Sequence, residues 1–184
     1  MQQTGFATNV WPNMILIYAD KRIPQLCLSL QDEFGADVPV LLLLVIADRQ
    51  GISCDDEAFK RFLADAAIWR ELVVRPLRTL RRAMKGNCAT GAETALRDDI
   101  KRVELQAEKL HVARLVEAFP VSFAAGKREH DLADRYLIDR GVPGEQRRDC
   151  LSLFDAVITR LVKTARPPDN KHTNLDPARK TTAS

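Results

Sequence analysis

Residues 38–47 read Val-Pro-Val-Leu-Leu-Leu-Leu-Val-Ile-Ala, the longest apolar run in a chain of 184 residues. A segment that is apolar on every side has to be surrounded by other segments, so it marks the centre of the fold. Such a run suits a buried strand or a buried helix. Leucine is a strong helix former and no second β-like segment stands ready to pair, so the pattern predicts a helix. Asp37 supplies its N-cap, and Pro39 falls in the first turn, where a missing N–H is tolerated. The run is about half the ~20 residues needed to cross a bilayer as a helix, so no membrane span is expected.

Periodicity builds a shell of helices around this centre. A first helix is predicted over 11–18, and a second opens at Pro24, carries Leu26, Leu30 and Phe34, and stops at Gly35. Beyond Gly51, Ser53 and Asp56 read as the cap of a fourth helix with Phe59, Phe62, Leu63 and Ala66 on its buried side. A fifth helix spans 68–85, with Val73, Leu77, Leu80 and Met84 as its apolar stripe. Pro76 lies inside it and predicts a kink or break near residues 72–75. Thr90-Gly91-Ala92-Glu93 has the form of a capping box for a long sixth helix that ends before Pro120. Its expected faces are Leu96, Ile100, Val103, Ala107 and Leu110, then Leu115, Val116 and Phe119. The short connection makes helices five and six antiparallel neighbours.

Residues 121–127 read as a linker, and Leu132, Tyr136 and Leu137 mark a short helix. Leu151, Phe154, Val157, Ile158 and Leu161 form the stripe of a helix opened by Pro143. Pro167, Pro168 and Pro177 in a polar tail predict disorder from residue 166. The expected architecture is all-α: one helical-bundle domain of about six helices over 6–119, a two-helix extension over 127–165, and a tail.

Little in the chain points to chemistry. Cys27, Cys54, Cys88 and Cys150 contain no CxxC pair and the three histidines are dispersed, so no metal, disulfide framework or other cofactor is expected. Cys27 reads as a core residue and Cys88 as an exposed thiol. Asp55, Asp56 and Glu57 are adjacent carboxylates in a first helical turn, where they complement the helix dipole. His111 reads as a surface histidine, with no serine or cysteine motif to pair with it. Residues 1–10 lack the pattern of a signal peptide, and a cytoplasmic location is the expectation.

The most distinctive local feature is the fifth helix. From residue 70 to 85 it holds six cations and one carboxylate, Glu71, although the whole chain carries 28 Lys and Arg against 25 Asp and Glu. Arg75, Arg78, Arg82 and Lys85 fall within about 80° of one another, roughly opposite the apolar stripe, and Arg81 lies beside them. This face is expected to meet water or a partner. Solvated charge runs are common on surface helices, and Glu104 and Glu108 on the neighbouring helix would balance part of it. The functional reading is a docking surface for an acidic protein, because guanidinium forks bind carboxylates bidentately. Nucleic-acid binding by the same cations and an enzyme of unrecognised type are the alternatives. Gln31, Asp32 and Asp37 are candidate polar supports. Asp32 sits at the unfavourable end of the helix dipole, where it is either simply exposed to water or compensated by an arginine such as Arg75 or Arg78.

Cys27-Leu28-Ser29-Leu30-Gln31-Asp32 with Gly35 and Asp37-Val38, followed by Trp69 and Val73-Val74-Arg75-Pro76-Leu77-Arg78 with Arg81 and Arg82, form two motif blocks. They resemble the patterns CLxLQDxxGxDVNxLL and WxxxVVxPLRxxRRxLK of a family of short, uncharacterised proteobacterial proteins, a domain of unknown function. The likeness spans roughly residues 11–115, with Pro39 standing where the pattern has asparagine. It implies a helical protein and carries over no activity.

Overall fold

The computed structural model describes residues 3–120, 122–123 and 131–165. The expected tail from residue 166 lies outside them. The fold is all-α, with helices α1 (Gln3–Tyr18), α2 (Arg22–Phe34), α3 (Val38–Arg49), α4 (Asp56–Trp69), α5 (Arg75–Met84), α6 (Gly91–Ala118), α7 (Asp131–Asp139) and α8 (Gly144–Ala165). Part of the segment expected as a linker forms a two-residue antiparallel ladder, Ser122–Phe123 against Ile52–Ser53, with Ile52 opposite Phe123.

The apolar run is a helix, and α1, α6 and α7 pack around it. Every residue of α3 from Val40 to Asp48 is buried, and the Asp37 carboxylate accepts the Val40 N–H at 3.5 Å as its N-cap. Asp48, at the far end of α3, accepts the N–H groups of Leu132 and Ala133 at 3.0 Å each. One buried carboxylate thus caps a helix 84 positions away, satisfying donors that α7 leaves open at its start. Leu132, Ala133, Tyr136 and Leu137 of α7 and Phe154, Val157 and Ile158 of α8 belong to the same buried cluster as α3.

Several boundaries differ from expectation. Helix α1 begins at Gln3 and passes through Pro12, where a start near residue 11 was predicted. Val10, Met14 and Ile17 form one buried stripe across the proline, and that burial holds the turns on both sides of it. The buried face of α2 is Ile23, Cys27 and Leu30, with Leu26 and Phe34 at its edge. Gly35 ends α2 at φ 62°, with its N–H on the Gln31 carbonyl and the Ala36 N–H on that of Leu30. Asp55, not Ser53 or Asp56, caps α4, accepting the Ala58 N–H at 2.8 Å. The Thr90–Glu93 capping box is present in full.

The largest departure lies between α4 and α5. Pro76 has no N–H to give the Leu72 carbonyl, and its ring clashes with a regular turn there. The helix does not break. Residues 70–74 widen into one π turn, in which the Arg75 N–H reaches back five positions to the Arg70 carbonyl. A π turn adds one residue without ending the helix, so everything after it is rotated by one position. The buried stripe of α4, Phe59, Phe62 and Ala66, would continue in a regular helix through Val73, Leu77, Leu80 and Met84. Its actual continuation is Arg70, Val74, Arg78 and Arg81. Val74 is buried and the three arginines are partly buried, whereas Leu80 is 49% exposed.

This register has a direct test. Removing Leu72, whose side chain is exposed, together with Pro76→Ala takes out the extra residue and restores a regular helix with both faces in place. Removing Thr79 instead turns Arg81 away from α6. Thermal melts followed by circular dichroism should show the Thr79 deletion less stable by about 3 kcal/mol, the scale of a broken buried ion pair. Equal losses would mean that the helix phase does not matter.

Candidate functional site

The rotated α5 places a guanidinium cluster against α6. Arg78 uses its whole fork: Nε donates to Glu104 Oε1 at 3.1 Å, Nη1 to Gln31 Oε1, and Nη2 to Glu108 Oε1. Arg81 donates through Nε to Glu104 Oε2 and through Nη2 to Glu104 Oε1 at 3.2 Å. The Arg78 and Arg81 side chains are only 19% and 23% exposed. The arginines expected to face water are therefore split. Arg75 stays outside, paired with Glu71 at 2.5 Å, and Lys85 is exposed. Arg82 is 46% exposed and holds Asp32 Oδ1 at 3.2 and 3.3 Å. Asp32 is exposed and at the same time paired, by Arg82 rather than Arg75 or Arg78.

Helix α6 answers with an inward face that its apolar pattern does not reveal. Glu104, Ala107, His111, Val112 and Leu115 are buried, while Leu96, Val103 and Leu110 are about half exposed. His111, expected at the surface, is 1% exposed, and its Nε2 lies 2.9 Å from Asp37 Oδ2. The Asp37 N–H donates to the Tyr136 hydroxyl at 2.6 Å. Arg70 donates to the Gly35 carbonyl at 2.8 Å and stands 3.8 Å from Asp37. Asp37 thus joins α3, the π turn, α6 and α7. Trp69 adds a hydrogen bond from its indole to the Ala107 carbonyl at 3.1 Å. Cys88, expected as an exposed thiol, is partly buried with its thiol on the Met84 carbonyl.

These groups border a cleft of about 1090 Å³ among α1, α2, α3, α5 and α6. Its apolar side is formed by Trp11, Met14, Ile15, Tyr18, Leu28 and Leu42, joined by Leu105 and Val112 from α6. The polar side carries five cations, Arg78, Arg81, Arg82, Lys101 and Arg102, against three carboxylates, Asp98, Glu104 and Glu108. The sequence reading missed the apolar side. Trp11, Met14, Ile15 and Tyr18 have helical i, i+3, i+4, i+7 spacing, so a second apolar face of α1 was visible in principle. Among the described residues no group of three His, Cys, Asp or Glu side chains gathers to hold a metal. Nor is any helix there long and apolar enough to cross a membrane.

The two glutamates of the cluster differ electrostatically. Burial pushes the Glu104 carboxyl up, but hydrogen bonds from Arg81 and Arg78 outweigh it and leave the group below its ordinary range. Burial dominates at Glu108, which is raised in spite of Arg78. Stability contributed by Glu104 is therefore complete above its unfolded value near 4.5 and is lost as pH falls through its lower folded value. Glu108 has the opposite sign: its contribution is present below its unfolded value and is lost as pH rises through the folded one. At pH 7, Glu104→Gln should cost about 2 kcal/mol, the scale of hydrogen bonds to a charged acceptor, and should flatten the acid limb of a stability–pH curve. Glu108→Gln should cost clearly less. Chemical denaturation from pH 3 to 7 checks both, and equal costs at pH 7 would contradict the assignment.

No curated protein and no solved structure matches the chain. Residues 9–115, more than half of the chain and both motif blocks, match the family described as "Protein of unknown function (DUF2390)". The chain belongs to that family.

Proposed function

We propose that the protein is an interaction module that docks an acidic protein partner at the mouth of the cleft. The supporting observation is the exposed cations at the cleft's mouth, Arg82, Lys101 and Arg102, of which Lys101 has no carboxylate partner among the described residues, set beside half-exposed Ile15, Tyr18, Leu28 and Leu105. An interface needs both elements: apolar side chains that gain from leaving water, and charges that orient the partner and speed its approach.

The proposed contact set is narrower than the whole arginine helix. Arg78 and Arg81 serve the fold, because removing either leaves the Glu104 carboxylate short of donors. Arg82, Lys85, Lys101 and Arg102 are exposed and form the docking rim, with Arg75 at its outer end. Nucleic acid is disfavoured by the same division. Binding to phosphates scales with the number of cations free to neutralise them, and four of the five candidates, Arg75, Arg78, Arg81 and Arg82, already pair with carboxylates.

Affinity purification with the wild-type chain and with Arg82→Glu/Lys101→Glu/Arg102→Glu tests the reading. The triple variant should fold normally and lose its acidic partners, and wild-type capture should weaken several-fold as salt rises. Identical partner sets for the two proteins would refute it. Recovery of nucleic acid alone, lost in the variant, would replace the protein partner with the alternative.

A further inference from the structure

Below the rim the cleft has a character that docking alone does not use. Met14, Leu42 and Val112 are buried at 3–4% exposure in its floor, while Ile15, Leu28 and Leu105, each about half exposed, stand higher on its walls. A volume of about 1090 Å³ is at the upper end of what small-molecule sites enclose. Its charged groups all come from α5 and α6, with Gln31 of α2 beside them. Lys101 has no hydrogen-bond or ion-pair partner among the described residues, and Arg81 keeps Nη1 outside its bonds to Glu104. Both are donors at the boundary between the polar and apolar halves.

We propose that the cleft binds a small amphipathic anion, an unbranched alkyl chain bearing one carboxylate, with the chain along Met14, Leu42, Val112 and Leu105 and the head group at Lys101 and Arg81. Charge complementarity selects the class. Of the five cations along the cleft, Arg78, Arg81, Arg82 and Arg102 pair with carboxylates and Lys101 does not, so the unmatched charge at the boundary is positive and favours an anion over a neutral or cationic amphipath. The separation of apolar and charged sides favours a molecule divided in the same way over a uniformly polar one. The inference goes beyond the docking reading and does not rest on it, since the floor residues are out of reach of a partner that touches only the rim.

The experiment is isothermal titration of the full chain with even-numbered alkyl carboxylates from octanoate to tetradecanoate, each below its micelle concentration. Alkanols and alkyltrimethylammonium ions of equal length serve as charge controls. The expected result is one saturable site per chain, with affinity rising roughly three- to four-fold per added methylene. The neutral and cationic series should bind at least ten-fold more weakly. Lys101→Glu should weaken carboxylates about ten-fold without changing the increment per methylene, and Leu105→Glu should remove that increment. Both positions are exposed, and circular dichroism confirms that the variants fold.

Absence of saturable binding, equal affinity for the three head groups, or indifference to both substitutions overturns the inference. So does a cleft filled by protein, seen as exchange protection of residues 14–18 in a self-associated chain or in a captured complex that excludes every carboxylate. Partner capture by the rim is measured without added ligand, so the docking reading and this one fail separately.

Discussion

The structure turns on one missing N–H. Pro76 cannot complete a regular helix through residues 72–76, and the chain absorbs the defect as a π turn that keeps the helix continuous while rotating its second half. A clean break would have freed α5 to choose its own orientation. Continuity instead ties the phase of α5 to that of α4, whose Phe59, Phe62 and Ala66 are already seated in the core. The inward positions are thereby assigned to Val74 of the π turn and to Arg78 and Arg81 of α5, and the leucines are left at the side. From that assignment follows the unusual composition of α6, which must bring carboxylates inward to meet guanidinium groups that cannot be left half-buried and unpaired.

The resulting network is not a large net source of stability. Partly buried ion pairs lose hydration that their attraction roughly restores, so an apolar interface of equal volume could hold α5 and α6 as well. What the network supplies is selection among arrangements. With Glu104 shared by Arg78 and Arg81, and Gln31 and Asp32 engaged by Arg78 and Arg82, α2, α5 and α6 have one register that satisfies every fork. Shifting the hairpin by a turn would strand several charges at once. Asp37 has the same role in a deeper layer, where the Val40 N–H, His111 and the nearby Arg70 converge on a single carboxylate. Burial pushes the neighbouring Tyr136 hydroxyl up to about 12, so it stays neutral as the acceptor for the Asp37 N–H.

Much of this was legible in the residues. The helical run at the centre, the Asp37 cap, the Gly35 stop, the Thr90–Glu93 box and the stripe of α8 each depend on a local rule, and local rules can be read in order along the chain. Pro76 was visible as a disturbance near residues 72–75, but its outcome was not. A kink, a break and a π turn have the same local cause, and only the packing of α4 and α6 chooses among them. The error then propagated. A regular phase beyond Pro76 put Arg78 and Arg81 outside, so their expected pairing with Glu104 and Glu108 read as a surface contact, and the charged stretch around His111 made it read as a surface histidine. The apolar stripe of α6 encouraged the same mistake, since Leu96, Val103 and Leu110 recur at seven-residue intervals yet lie half exposed. The cleft was illegible for another reason: a cavity is the space between elements, and no periodicity records it.

The same slip decides which side chains of α5 border the cleft. Interdigitated leucines draw two helices together until their ridges fill each other's grooves. An arginine meeting a glutamate works differently, because both side chains are long and their heads must stay near water or near each other. Helices α5 and α6 pack closely, and these pairs keep the heads of Arg78 and Arg81 at the edge of the cleft. The side of α6 bearing Leu105 and Val112 faces α1 across the cleft, with Trp11, Met14 and Ile15 lining the opposite wall. The rotated helix thus sets guanidinium groups beside apolar walls that α1, α2, α3 and α6 supply. That juxtaposition is why the search for a ligand or partner belongs at this boundary, where the fold has left charge and apolar surface side by side.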